Sequence, residues 1–595
     1  MNSIPRPEYP RPDFQRDSYY NLNGAWSFAF DDDNRGEREG WNLPRYQLAG
    51  SILVPFCYQS EKSGIGDKTI HPYLWYRRKF EVPEEMKGRR VFLRFGAVDF
   101  ESKVYVNGRL AGTHRGGYTP FGFDISHLLV EGENDLCLRV EDQTDCSQPR
   151  GKQYWKEGLM GCWYTPVSGI WQSVWLEAAG DNSLTAIRVT PDLDRALADV
   201  RLRLEKFPEK GTRVAYELSM EGLLLLSGEV SAFDQTPGFT LDMRCGSRVD
   251  TVIAWTPEHP RLFDLKVTLL TEKGAQDEVK TYFGMRKVEV KNGQVLLNNT
   301  PVYQRLILDQ GYWPDTLLTP PSDEAIRADV QWIKDFGYNG VRKHQKVEDP
   351  RFYYWCDRLG LLVWGEVPSC YEYGPQTVAN LSNTLMDFIA RDYNHPSIIT
   401  WVPLNESWGV REIYTDRQQQ AAARMLTQLC RSLDPIRLVS SNDGWEQTEA
   451  DICALHDYAA EGEVIHRHFD SREQVEKTAC DHRMCYAEGA QYTGREAFLI
   501  TEYGGIAMTG KGAQEDMGGM QTWGYHDKVK DEEAFFARFA SVTNAIRELD
   551  YCQGYCYTQL TDVMQEINGL LTPDRQPKVD PERFRGINRN PKGRG

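Results

Sequence analysis

Two short segments, Trp401-Val-Pro-Leu-Asn-Glu-Ser-Trp408 and Phe498-Leu-Ile-Thr-Glu-Tyr-Gly-Gly505, decide the fold of this chain. Each is an apolar run that ends in a glutamate followed by turn or loop residues, which is typical of a barrel strand that carries a carboxylate to its C-terminal mouth. The stretch between Glu406 and Glu502 has room for three further strand–helix units. Two carboxylates that face each other across a cleft are the reacting groups of a glycosidase.

Composition indicates a large protein that binds neither nucleic acid nor an anionic membrane. A chain of 595 residues is too long for one hydrophobic core, so three or four domains are expected. Hydrophobic residues make up 41% and charged residues 26%, as in ordinary globular proteins. The formal net charge of −17 argues against polyanionic partners, because like charges repel.

The chain carries the features of a cytoplasmic protein. The N-terminal residues 1–8 lack the apolar core of a signal peptide, and no run of eighteen apolar residues could span a membrane. The 13 cysteines are an odd number and are scattered without a Cys-x-x-Cys pair, which favours reduced core cysteines over a disulfide framework. The aromatic content of 12% has two interpretations, large β-sheet cores or platforms on which sugar rings stack.

The first half of the chain predicts two β-sandwiches. Residues 1–182 contain alternating strands such as 75–82, 90–95 and 102–108, the last ending in an Asn-Gly hairpin turn, and this predicts a jelly roll. Residues 183–284 contain shorter strands at turn-rich spacing and predict an immunoglobulin-like sandwich.

In residues 285–595 predicted helices alternate with short apolar strands, and this pattern predicts a (β/α)₈ barrel of the TIM type. Ser322 is expected to cap the first helix and Gly337 to end it. Glu406 then follows the fourth strand and Glu502 lies at the end of the seventh. The eight predicted strands are 302–308, 340–342, 361–366, 398–405, 437–441, 452–456, 498–502 and 554–559.

Several motifs in this order resemble those of glycoside hydrolase family 2, the family of β-galactosidases, β-glucuronidases and β-mannosidases. They are 20–28 (Tyr-Asn-Leu-Asn-Gly-Ala-Trp-Ser-Phe), 284–302 and 391–406, and the resemblance covers nearly the whole chain. It implies retaining, exo-acting hydrolysis of terminal non-reducing β-linked sugars without a cofactor. It also implies that Glu406 is the acid/base, that Glu502 is the nucleophile, and that Asn405 hydrogen-bonds the sugar 2-hydroxyl.

Other polar and aromatic residues at predicted strand ends are candidates for sugar contacts. For each of them a structural role, in a loop cap or a packed core, is the alternative. Trp408 and Trp445 are possible stacking platforms, and Trp364 is either core or pocket floor. The remaining candidate substrate-binding residues are Asp309, His344, His456, Asp457, Tyr458 and Glu566.

Two departures from the family motifs affect the expected metal binding and the expected type of sugar. Cys370 and Glu372 stand where many β-galactosidases of the family have magnesium ligands, so no metal is expected. Glu566 and Asn568 stand where family β-glucuronidases carry an Asn-x-Lys pair that binds the sugar carboxylate. A glutamate there would repel a carboxylate, which favours a neutral sugar, with a β-galactoside the first candidate. Lys343 or Lys346 could supply a substitute cation.

Two classes of function therefore compete. The first is an intracellular exo-β-glycosidase, β-galactosidase-like, with β-hexuronidase or β-mannosidase as alternatives within the family. The second is a non-catalytic carbohydrate-binding protein on the same scaffold, which would have no need of both Glu406 and Glu502. A purely structural role is the third hypothesis. The large β domains and acidic surface are compatible with a homodimer or homotetramer.

Overall fold

A computed structural model describes residues 4–246, 252–477, 479–480, 483–508, 516–517 and 520–589. Two β-sandwiches precede a barrel, and the predicted three-part architecture is confirmed. Among the described residues, no helix is long and apolar enough to cross a membrane.

The first sandwich packs a six-stranded sheet against a four-stranded one. A two-residue Asn107-Gly108 turn joins two strands of the larger sheet, with φ angles of 52° and 75°, the left-handed pair that a type I′ hairpin requires. The four-stranded sheet consists, in spatial order, of Tyr19–Asn21, Val174–Ala179, Arg90–Phe95 and Phe121–Asp124. The six-stranded sheet consists of Gly50–Val54, Gly24–Phe30, Tyr73–Glu81, Glu133–Glu141, Glu101–Val106 and Arg109–Arg115.

The second sandwich has three strands facing four. Burial alternates along Leu197–Leu204, so that one face of this strand packs into the core and the other faces outward. The three-stranded sheet comprises Leu184–Asp192, Leu197–Leu204 and Gly238–Asp242. The four-stranded sheet comprises Leu223–Ser231, Arg213–Met220, Phe263–Thr271 and Gly274–Phe283. A small sheet of Val288–Lys291, Gln294–Leu297 and Thr300–Pro301 then leads into the barrel.

Eight parallel strands form the barrel. Their spatial order places the first strand between the second and the eighth, and the Gly444–Leu455 bridge links the fifth and sixth segments. The predicted fifth strand is the shortest, because only two of its residues pair with the fourth. The strands are Gln304–Asp309, Gly340–Lys343, Leu362–Glu366, Ile398–Val402, Leu438–Val439, Ile452–His456, Ala497–Gly504 and Cys552–Thr558.

The barrel helices begin and end at residues that the sequence marks. The Ser322 hydroxyl accepts from the Ala325 amide, as expected of an N-cap, and Gly337, with φ of 87°, follows the helix end. The helices of the barrel domain are Asp323–Asp335, Pro350–Leu359, Pro375–Asp392, Arg417–Leu433, Gly462–Phe469, Arg472–Val475, Glu532–Glu548 and Pro581–Arg589.

The jelly roll contributes one loop to the barrel mouth. The amides of Arg150 and Gly151 donate to the Ser369 carbonyl, at 2.9 and 3.0 Å, just after the third barrel strand. Gly151 has φ of 59°, and a Cβ there would lie 2.2 Å from the Gln345 carbonyl oxygen, so a side chain at this position could not be accommodated. Residues 150–164 are thereby held against the C-terminal end of the barrel.

Candidate active site

Glu406 and Glu502 meet at the C-terminal mouth of the barrel. One carboxylate oxygen of each, together with a ring nitrogen of His456, lies within 4.8 Å of the other two. Glu502 is 5% exposed, whereas Glu406 is only partly buried. Glu406 follows its strand on backbone with φ of 51°, and Ser407 continues it with φ of 56°. Left-handed backbone at two residues that are not glycine is uncommon and is concentrated at functional sites.

Glu502 is held by two partners that favour its ionised form. Arg342 Nη1 donates to Glu502 Oε1 at 2.7 Å, and the Tyr458 hydroxyl donates to Oε2. Burial by itself would raise the pKa of Glu502, but the charges of His456 and Arg342 outweigh it and lower the pKa to about 2. A buried carboxylate that stays ionised suits the role of a nucleophile.

Glu406 has different neighbours. His456 Nδ1 lies 2.9 Å from Glu406 Oε1, and Trp408 Nε1 lies 3.3 Å from Oε2. His456 Nε2 is 2.8 Å from Asp443 Oδ1 and 3.5 Å from Glu502 Oε1. Burial opposes the charge of His456, but these carboxylates raise its pKa to about 10. Two carboxylates and a histidine whose charged form they favour can act together as an acid–base cluster.

Arg342 organises the floor of the site from the second strand. It is fully buried, and besides Glu502 it contacts Glu366 Oε2 at 2.7 Å through Nε and Asn405 Oδ1 at 2.6 Å through Nη2. Asp443 Oδ1 lies 3.2 Å from its Nη1. Neither Arg342 nor Asp443 is among the site residues predicted from the sequence, although a charged residue at the end of an apolar strand is a signal that could have found Arg342.

Three of the candidate residues lie around the two carboxylates. Trp445 is 5% exposed, with its ring centroid 5.6 Å from that of His456, and its Nε1 has no hydrogen-bond partner among the described residues. His344 Nδ1 lies 3.0 Å from Glu366 Oε1 and 4.0 Å from Glu502 Oε1, and burial lowers the pKa of His344. Tyr458, besides its bond to Glu502, stacks on Tyr525.

Glu566 reaches the site from the loop after the eighth strand. The Tyr164 hydroxyl donates to Glu566 Oε2 at 2.5 Å, and Asn568 Nδ2 donates to Oε1 at 3.0 Å. Burial raises the pKa of Glu566. Tyr164 belongs to the jelly roll, so this sandwich closes one side of the pocket. The distance in sequence between Tyr164 and Glu566 explains why no local pattern predicts their contact.

Three other candidates have partners that favour their structural alternatives. Both oxygens of Asp309 are used inside the protein, by Lys343 Nζ at 2.6 Å and by the Gly311 amide at 2.9 Å. Asp457 Oδ2 lies 2.6 Å from His468 Nδ1. Trp364 is fully buried among barrel side chains, and its Nε1 donates to Gln304 Oε1. None of these three contacts places the side chain beside Glu406 or Glu502.

Partly buried aromatic rings border the acid/base candidate. The Trp408 ring lies 5.1 Å from Trp163 and 5.2 Å from Tyr371, centroid to centroid, and Trp155 stacks on Tyr371 at 4.6 Å. Arg411 lies over the Trp408 ring at 4.4 Å. Such a surface next to a proton donor can hold the group that leaves in a glycoside cleavage, since sugar C–H faces and aromatic aglycones pack on aromatic rings.

Comparisons with known proteins agree with this architecture. The model of glycosyl hydrolases family 2, sugar binding domain, matches residues 19–177, and the model of glycosyl hydrolases family 2 matches 182–286. The model of the family's TIM barrel domain matches residues 288–587, half of the chain. The chain belongs to glycosyl hydrolase family 2.

Relatives within the family carry more than one name. The chain is 28% identical over 411 residues to a β-galactosidase of Thermoanaerobacter pseudethanolicus, covering 67% of this chain and 52% of that protein. It is 30% identical over 376 residues to a putative β-glucuronidase of Formosa agariphila, covering 61% of this chain and 44% of that protein. The chain thus spans about half the length of these curated relatives.

A solved structure shares the whole fold. The β-glucuronidase from Ruminococcus gnavus in complex with D-glucuronic acid superposes with a TM-score of 0.76 at 19% identity, covering 98% of this chain and 100% of that one. At this identity the match shows the common architecture of the two chains.

Proposed function

We propose that this protein is a retaining exo-β-glycosidase in which Glu502 is the nucleophile and Glu406 the acid/base. The observation that carries the proposal is the approach of the two carboxylates to within 4.8 Å. Retaining enzymes hold their carboxyl groups about 5 Å apart, whereas inverting enzymes separate them by about 6.5–9.5 Å to admit a water.

The environments of the two glutamates support this division of roles. Arg342 and His456 keep Glu502 ionised, so it can attack the anomeric carbon and form a glycosyl-enzyme. Glu406 is the more exposed of the two and lies beside the aromatic surface of Trp408, where the leaving group would sit. It donates a proton to the departing oxygen and later accepts one from water.

The sugar has two candidates, each favoured by a specific observation. Glu566 favours a neutral sugar such as a β-galactoside, because its carboxylate can accept from hydroxyls. The names of relatives include both β-galactosidase and β-glucuronidase. A third observation, the buried ammonium of Lys152, favours a β-hexuronide and is developed in the next subsection.

A panel of 4-nitrophenyl β-glycosides tests the proposal. It contains galactose, glucose, mannose, glucuronate, galacturonate, fucose and arabinose. We expect turnover of at least one member, with the β-configured sugar as first product in a proton NMR time course, and loss of turnover in Glu502→Ala. Binding without cleavage of any member would instead favour the carbohydrate-binding alternative. An α-configured first product would contradict retention.

A further inference from the structure

The jelly roll places one lysine in the barrel mouth. Lys152 follows Gly151, whose amide donates to the Ser369 carbonyl and which packs closely against the Gln345 carbonyl. The Lys152 carbonyl accepts from the Tyr164 amide at 2.8 Å. Tyr164 in turn reaches Glu566 through its hydroxyl. Lys152 is 9% exposed. Backbone contacts between this loop and the barrel therefore fix the position of Lys152.

The charge of Lys152 acts on residues of the candidate active site, Glu566 and His344 among them. Burial opposes its charge, but the Cys162 thiol and the carboxylates of Glu566, Glu406 and Glu502 raise the pKa of Lys152 well above its usual value. The ammonium also hydrogen-bonds the Cys162 sulfur, and burial raises the pKa of that thiol.

The carboxylates around Lys152 are committed elsewhere. Glu502 is bound by Arg342 and Tyr458, and Glu566 by Tyr164 and Asn568. In the part of the chain that the structure describes, no carboxylate oxygen lies within 4.0 Å of the Lys152 ammonium. Lys152 therefore has no direct ion pair in this region, and a carboxylate that entered the pocket could form one with its ammonium.

The other two lysines considered for this role are already paired. Lys343 Nζ lies 2.6 Å from Asp309 Oδ2 and 2.7 Å from Glu348 Oε2. Lys346 Nζ lies 2.7 Å from Glu348 Oε2 and donates to the carbonyl oxygens of Gly311 and Leu318. Lys343 and Lys346 thus belong to a buried ion-pair network, whereas Lys152 forms no ion pair among the described residues.

We infer that Lys152 binds the carboxylate of the sugar that occupies the pocket, which makes the preferred substrates terminal β-hexuronides. This inference rests on the proposed function. The Lys152 charge offsets the repulsion that Glu566 would exert on a sugar carboxylate, since both act on the same pocket. The expectation of a neutral sugar rests on residues 566–578 alone, and Lys152 lies outside this stretch.

The first test uses the unaltered enzyme and pairs of substrates that differ only at C6. The glucuronide is compared with the glucoside, and the galacturonide with the galactoside. We expect kcat/KM for the better uronide to exceed that of its neutral partner by at least about 100-fold, because a site built to pair a charge rejects an analogue that leaves it unpaired. Equal or better cleavage of the neutral partner would overturn the inference while leaving the proposed function intact. No cleavage of any β-glycoside would overturn the proposed function instead.

The second test changes Lys152. In Lys152→Met the ratio of uronide to neutral kcat/KM should fall at least about 100-fold, mainly through KM, and Lys152→Arg should recover part of it. Lys156→Met, an exposed lysine of the same loop, is the matched control and should match the unaltered enzyme. A Lys152→Met variant that keeps the uronide preference within threefold would overturn the inference.

A binding measurement covers the case in which Lys152→Met does not fold. Free glucuronate and galacturonate are compared with glucose and galactose as competitive inhibitors of the unaltered enzyme, and we expect the better uronate to bind at least about tenfold more tightly. Tighter binding of the hexoses would overturn the inference. Loss of activity in Lys152→Met only on substrates whose carboxylate lies in the leaving group would place the anion outside the sugar pocket and would also overturn it.

Discussion

Arg342 Nη2 donates to Asn405 Oδ1 at 2.6 Å, and this bond fixes the amide so that Asn405 Nδ2 remains a buried donor without a partner among the described residues. A buried donor without a protein partner is available to a substrate hydroxyl. Asn405 precedes Glu406 directly. The arrangement therefore supports the expectation that Nδ2 donates to the sugar 2-hydroxyl.

Asn405→Ala should lower kcat more than it raises KM, because the bond to the 2-hydroxyl strengthens in the transition state. We expect a loss of roughly 10- to 100-fold, the size of one strong hydrogen bond. A double-mutant cycle with the 2-deoxy glycoside checks the cause. This substrate lacks the 2-hydroxyl, so the unaltered protein and Asn405→Ala should cleave it at similar rates. Equal losses on both substrates would assign Asn405 a structural role.

Replacing Glu406 should separate substrates by their leaving groups. In Glu406→Ala the 2,4-dinitrophenyl glycoside should still form the glycosyl-enzyme at a rate near that of the unaltered protein, because its leaving group needs no proton. Alkyl glycosides should slow by roughly 100- to 10,000-fold. Pre-steady-state release of the phenolate measures the first step. An equal loss for both classes of leaving group would show that Glu406 is not the proton donor.

The His456 cluster predicts a pH dependence of stability. The folded pKa of His456 is about 10, against about 6.5 when unfolded, so its ionic contacts contribute fully below pH about 6.5 and are lost as the pH rises through about 10. The melting midpoint of the unaltered protein minus that of His456→Asn should therefore be largest near pH 6 and shrink toward pH 10. The exposed His259→Asn serves as control. A difference that grows with pH would contradict the assigned charge.

Local sequence patterns predict the barrel and its two glutamates for a physical reason. A strand that ends in a carboxylate at the barrel mouth carries its signal within a few residues, as the segments ending in Glu406 and Glu502 do. The structure also places Tyr458 in contact with Glu502 and His456 in contact with Glu406, and both follow from a predicted strand end. Asp309 and Asp457 lie at equivalent ends, yet their side chains are used by Lys343 and His468.

The rest of the site depends on contacts between distant parts of the chain. The loop that carries Lys152 and Tyr164 reaches the barrel from the jelly roll, through backbone bonds of Arg150 and Gly151 to Ser369 and a side-chain bond of Tyr164 to Glu566. No periodicity within the jelly roll encodes these contacts. The boundaries at 182 and 284, the oligomeric state and the cytoplasmic location stay predictions.

Covalent trapping tests the central claim, that Glu502 attacks the sugar. The protein is incubated with the 2-deoxy-2-fluoro β-glycosyl fluoride of whichever sugar the panel identifies; the fluorine slows hydrolysis of the glycosyl-enzyme more than its formation. Digestion and tandem mass spectrometry should then find one fluoroglycosyl group per chain, on the side chain of Glu502, with no label in Glu502→Ala. Label on Glu406 or on any other residue would contradict the account.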